Sequence, residues 1–178
     1  NSLDYELEDL PGSADLPFAE VLRLAARWHD WGKAHSAFQA KLEQSKVEKV
    51  GLGHSVAKAP ESAWIKGRIP SKPTEGEARR PHFRHELASA LAVLLPDSGF
   101  PVIAEVARNL AAYLIAAHHG KVRLSIRSIP NEWHPPKSDD GNGRRFARGI
   151  WDRDRLVGVD LGGGTTANTV TLSLEPME

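Results

Sequence analysis

The stretch 23-RLAARWHDWGKAHSAFQAKL-42 decides how the chain is read. Its first half continues an amphipathic helix: from Phe18 the apolar residues Val21, Leu22, Leu24, Ala25 and Trp28 recur at helical spacing. The helix opens well at Asp15-Leu16-Pro17, because Asp can cap free backbone N–H groups and Pro fits the first turn. An apolar stripe of this kind belongs in a core, yet it runs straight into His29-Asp30 and then Gly32-Lys33. Gly32 reads as a stop, and Ser36 to Leu42 as a second short helix.

Two more helices carry ligand-type residues at their ends. One is predicted from Phe83 to Leu95, beginning inside His82-Phe83-Arg84-His85-Glu86 and stopping at Pro96. The other runs from Val102 to His119, finishes on His118-His119, and has Gly120 placed as its C-terminal cap. Imidazole suits Zn, Fe, Ni or Co, and a carboxylate adds affinity for Mn or Mg. Consecutive helical residues point about 100° apart, so neither His29-Asp30 nor His118-His119 can grip an ion alone. Converging helix ends can. A single such histidine would read as a hydrogen-bonded core residue or a cap on the last carbonyls. Three termini together argue for a metal, since a bare pocket of imidazoles is costly to desolvate.

Composition narrows the class. The chain has 178 residues, enough for one domain with a sizeable core. Lys plus Arg and Asp plus Glu stand at 23 each, so overall charge points to no acidic or nucleic-acid partner. Cysteine is absent, which excludes disulfides and thiolate metal sites and fits a cytoplasmic protein. No apolar run reaches the roughly 20 residues of a membrane span. The start at Asn1 suggests a piece of a longer polypeptide.

The expected organisation is mainly α: a helical core over 1–120, containing a long basic loop at 44–81, then a 121–178 extension of the same domain. Gly and Pro punctuate the loop and erase any period. Between Lys46 and Arg84, the cations, Lys49, Lys66, Arg68, Arg79, Arg80 and Arg84 among them, outnumber the acids, so the loop is a candidate guide for a nucleic-acid backbone. Arg144, Arg145 and Arg148 form a second basic patch. Trp64 and Trp133 could stack on bases, though a local loop anchor is the preferred reading. His35 reads as surface polar, and His54 and His134 as solvated loop residues. In the extension, β-like runs cover Phe146–Trp151, Leu156–Leu161 and Thr169–Leu174. Gly162-Gly163-Gly164 lacks the Lys-Ser/Thr and helix of a phosphate loop and reads as a turn.

Four ordered segments carry a family resemblance: His29-Asp30-Trp31-Gly32-Lys33, Phe38-Gln39, Arg84-His85-Glu86 and Ala117-His118-His119-Gly120. With them the chain resembles the HD superfamily of metal-dependent phosphohydrolases. More narrowly, it resembles the HD nuclease domain of the CRISPR-associated helicase–nuclease of type I systems. Residues 150–177 resemble, more weakly, the tail of the I-U/I-G variant, whose HD domain follows the helicase. The resemblance implies an HD-superfamily helical bundle with a small irregular β-containing tail. It implies one or two divalent ions, with Asp30 bridging, His29 on one, and His85, His118 and His119 on the other. Lys33 would stabilise charge on the phosphate being cut. It also implies single-stranded DNA as substrate, a helicase in the same chain or a separate subunit, and a crRNA-guided surveillance complex as partners. The family further supplies a histidine upstream, which residues 1–28 lack, and a late aspartate, whose context Asp152, Asp154 and Asp160 do not match.

Three functions follow from these residues. The first is a metal-dependent nuclease on single-stranded DNA. The second is an HD phosphohydrolase acting on nucleotides or cyclic nucleotides with the same ligands. The third is a non-catalytic domain with an incomplete metal site. Phe38-Gln39 and the basic loop favour the first.

Overall fold

The computed structural model describes residues 16–48, 55–120, 126–136 and 143–175. Three helices build the core: α1 (Phe18–Trp28), α4 (His85–Val93) and α5 (Glu105–Ala117). Between them come two short helices, α2 (Ser36–Gln39) and α3 (Gln44–Glu48), and 3-10 turns at Trp31–Ala34 and Glu61–Ala63. α5 packs against both α1 and α4, and the Trp31–Ala34 turn lies against α4. The predicted stripe of α1 faces inward through Val21, Ala25 and Trp28, while Leu22 stays exposed. Trp28 is fully buried and meets Trp31 and Phe100 edge-on at 5.5 and 5.3 Å.

Helix ends differ from expectation in places. α1 starts after Pro17, whose carbonyl takes the N–H groups of Glu20 and Val21; the expected cap Asp15 lies outside the described residues. α5 begins at Glu105 rather than Val102, because the chain after Pro101 stays extended and packs Ile103 onto the core. α4 begins at His85 rather than Phe83, since the backbone N–H of Arg84 donates to the Arg148 carbonyl and holds Arg84 extended. Gly120 closes α5 as expected, with φ +119° and its N–H on the Ala117 carbonyl.

Gly32 does not stop α1, which already ends at Trp28. It sits inside the 3-10 turn where that turn touches α4: a Cβ there would stand 1.9 Å from the His85 carbonyl oxygen. Its N–H donates to Ser89 Oγ at 2.6 Å, and Ser89 Oγ donates to the His85 carbonyl at 3.1 Å. Only a residue without a side chain lets the two backbones approach so closely.

The long loop is partly folded. Leu42 and Trp64 form an antiparallel bridge, and Leu42, Val47, Val56 and Ala63 make a small satellite core. Gln39 fastens it by donating to the carbonyls of Lys33 (2.5 Å) and Val56 (3.1 Å) and accepting the Val56 N–H (3.0 Å). The extension folds as three antiparallel pairs: β1 (Phe146–Ala147) with β2 (Ile150–Trp151), β3 (Arg155–Leu156) with β6 (Val170–Thr171), and β4 (Val159–Asp160) with β5 (Thr166–Ala167). Arg148 and Gly149 both have positive φ, the geometry of a two-residue type I′ turn between β1 and β2. Gly162, Gly163 and Gly164 turn the chain between β4 and β5. Leu156, Val170, Leu172 and Leu174 join the same core as the helices, and Trp31 Nε1 donates to the Val157 carbonyl at 2.8 Å.

Candidate metal centre

The site assembles where three helix ends meet. His29 and Asp30 follow α1, His85 opens α4, and His118 and His119 follow α5. Gly32 draws the first of these against the second. Asp30 Oδ1 lies 3.4 Å from His85 Nε2 and 3.9 Å from His118 Nε2, while Oδ2 lies 3.3 Å from His29 Nε2 and 2.7 Å from Lys33 Nζ. His119 Nε2 lies 3.2 Å from His85 Nε2. Two sets of three ligand atoms are close enough to hold an ion: His85, His118 and His119, and His29, Asp30 and His118. His118 thus belongs to both sets.

The hydrogen bonding fits a cation. His29 Nδ1 lies 2.6 Å from the Ala26 carbonyl and His118 Nδ1 2.7 Å from the Ile115 carbonyl. A carbonyl only accepts, so each Nδ1 carries a proton, and Nε2 is the nitrogen left facing the cluster as the ligand-type atom. His85 Nδ1 faces Glu86 Oε2 at 3.5 Å, a carboxylate behind an imidazole. Asp30 Oδ1 is buried and accepts no hydrogen bond among the described residues. The centre therefore gathers acceptors with too few donors, which is the chemistry of a divalent-ion site.

Electrostatics keep these groups in ligand form. Burial opposes ionisation of Asp30, but its contacts with His85 and Lys33, and the charges of His29 and Lys33, outweigh burial and hold the carboxyl well below the usual range. Burial lowers the pKa of His118; the Ile115 carbonyl opposes this, and the neighbouring histidines add to it. Burial also opposes the charge on Glu86, yet its own backbone N–H, Arg84 and His85 bring its pKa below the ordinary value. Phe38 is buried, with its ring edge-on to His85 at 5.5 Å and to Trp64 at 5.6 Å.

A family model described as "Cas3, HD domain" matches residues 5–156. The chain belongs to the Cas3 HD-domain family. This is a family of CRISPR-associated, metal-dependent HD nucleases. No curated protein and no solved structure matches the chain. Within this Cas3 HD domain, the structure brings His29, Asp30, Lys33, His85, His118 and His119 together in one cluster.

The basic residues expected to guide a strand separate into two groups. Lys66 and Arg68 are exposed. Arg80 is buried: its guanidinium pairs with Asp154 at 2.5 and 3.1 Å, donates to the Gly149 carbonyl and stacks over Trp151 at 3.5 Å. That corrects its assignment as a DNA contact, since no face of it remains for a phosphate. Arg84 is engaged by Glu86, and Arg79 is half-buried beside Glu77. In the second patch, Arg144 donates to the Asp152 carbonyl and Arg145 to that of Leu174, so both hold the extension together. Trp133 is buried and donates to the Pro70 carbonyl at 3.1 Å, and Trp64 packs on Phe38; both anchor loops. Lys49 and His54 lie outside the described residues.

His35 is not on the surface. It is buried, accepts the Ala37 N–H at the start of α2, stacks on Phe83 and lies 3.2 Å from Asp154. Asp154 completes no metal shell; it belongs to this second cluster. Asp152 accepts the Leu174 N–H, and Asp160 the Gly162 N–H. Glu86 and Gln39 support the site. Their signal is position: Glu86 follows a candidate ligand directly, and Gln39 follows the aromatic residue that packs on it.

Proposed function

We propose that this domain hydrolyses phosphodiester bonds of single-stranded DNA at the cluster of Asp30, His29, His85, His118 and His119. One observation carries the reading: a buried, unbonded Asp30 oxygen faces imidazole nitrogens whose outer nitrogens are already committed. A divalent ion held there supplies Lewis acidity, making water a nucleophile near neutral pH and drawing charge from the phosphate. Asp30 and the histidines hold and orient it. Lys33 sits on Asp30 Oδ2 with a half-buried ammonium, placed to offset negative charge building on the phosphate oxygens. His118 and His119 are exposed, which suits a polymer passing over the cluster better than a nucleotide enclosed in a pocket. In this reading a helicase, recruited with a crRNA-guided complex, feeds the strand.

The test is degradation of end-labelled single-stranded DNA in Mn, Ni or Co, compared with an intact duplex. Loss of the single strand with the duplex spared is expected. Hydrolysis of a cyclic dinucleotide or a nucleoside triphosphate, with DNA left whole, would replace this reading with a nucleotide phosphohydrolase.

A further inference from the structure

Cations around the cluster are largely spoken for: Lys33 by Asp30, Arg84 by Glu86, Arg80 by Asp154. Lys41 is different. It is half-buried, and among the described residues its ammonium meets two aromatic rings but no carboxylate or carbonyl within hydrogen-bond or ion-pair distance. Nζ lies 5.8 Å from the ring centres of both Phe38 and Phe83, and the Phe38 ring lies 5.5 Å from that of His85. One aromatic ring therefore separates an ammonium, which lies over ring faces but meets no oxygen within hydrogen-bond or ion-pair distance among the described residues, from the candidate metal centre. The backbone fixes where the side chain starts: the Lys41 N–H donates to the Phe38 carbonyl at 3.0 Å, and its carbonyl accepts the Ile65 N–H at 2.8 Å. Burial lowers the pKa of this amine, with the charge of Glu86 opposing. An oxyanion would pair with a cation that is already partly withdrawn from water and has no protein oxygen partner among the described residues.

We propose that Lys41 binds a backbone phosphate of the single strand next to the one that is cut. This rests on the substrate reading above and adds a contact to it. The phosphate is not the reacting one, so the contact holds the strand equally before and during cleavage and acts on KM rather than kcat.

The experiment measures binding of a labelled oligothymidylate in chelator, where nothing is cut, across a range of salt concentrations. Each phosphate contact contributes about 0.7 to the slope of log K against log salt for a single strand. Two neutral variants, Lys41→Met and Lys41→Gln, are compared with Lys41→Arg, and all are checked for unchanged thermal unfolding. The neutral variant that keeps the wild-type melting profile should bind more weakly, with a slope shallower by about 0.7, while Lys41→Arg keeps the wild-type slope. Wild-type binding with an unchanged slope in the neutral variants overturns the role of Lys41 and leaves the substrate reading standing. Failure of the wild-type protein to bind the strand overturns the substrate reading, and this proposal with it. In metal, KM should rise and kcat hold; a fall in kcat alone contradicts the assignment.

Discussion

Two clusters in this domain are built from the same residue types and end in opposite states. Around Asp30, three imidazoles converge, with His119 behind them against His85, and one carboxylate oxygen stays unbonded. Around Asp154, the Arg80 guanidinium and the Trp151 backbone N–H satisfy the carboxylate, an indole covers the guanidinium, and the His35 imidazole lies 3.2 Å away without a hydrogen bond among the described residues. Both aspartates have pKa values below the ordinary range despite burial. The difference lies in who supplies the positive charge. At Asp154 the protein supplies Arg80, so the cluster is closed and ties together α2, the end of the long loop and the extension. At Asp30 the one permanent cation among the described residues is Lys33, on one oxygen, so the other oxygen and the imidazole nitrogens are left to an outside cation. Satisfied, these residues hold a fold; left short of donors, they are a site.

The largest effects are expected at the two aspartates. Asp30→Ala should abolish DNA cutting and metal binding while the melting temperature of the metal-free protein barely moves; activity and calorimetric titration with Mn read both. Asp154→Ala should do the reverse, costing about 3–5 kcal/mol because Arg80 is left as an uncompensated buried charge. Denaturant unfolding reads that loss. Metal affinity in the folded fraction should stay at the wild-type value. Acid sharpens the contrast. Asp154 has a folded pKa below its unfolded value, so its contribution to stability is present above about pH 4 and is lost as pH falls through the lower, folded pKa. Asp154→Asn should flatten that part of the stability profile, and a profile identical to wild type would refute the linkage.

Lys33→Ala is the next smaller effect. Lys33 ligates nothing in this account, so metal and fold are kept while the rate falls by about 10²–10³, the cost of one preorganised electrostatic donor. An unchanged rate would make it an ordinary lysine. Glu86→Gln is smaller again: weakening the carboxylate behind His85 should loosen metal affinity by roughly 10–100-fold, measured by titration. Equal affinity would leave Glu86 with Arg84 alone as its purpose.

Sequence revealed one cluster and hid the other for a physical reason. Each candidate ligand sits beside another informative residue at a helix end, so His29-Asp30, Arg84-His85-Glu86 and His118-His119 announce themselves locally. The second cluster joins residues 35, 80 and 154, and no local pattern links them. Arg80 looked like a strand contact because counting charges along a loop is blind to the carboxylate that neutralises it. Gly32 looked like a stop because glycine punctuates helices more often than it admits a neighbouring backbone; the carbonyl of His85 that explains it is far away in sequence. The helical core was legible from its periodicity, and its ends were less so, since Ile103 and Arg84 take their conformations from packing and from a hairpin at Arg148.

The unbonded Asp30 oxygen and the histidine nitrogens around it are proposed as a metal site. Anomalous diffraction from crystals of the domain soaked in Mn tests it directly. A strong peak is expected about 2.0–2.3 Å from Asp30 Oδ1 and from His118 Nε2, absent in crystals of Asp30→Ala. A soaked crystal with no peak at Asp30, or with the same peak after Asp30→Ala, would contradict it.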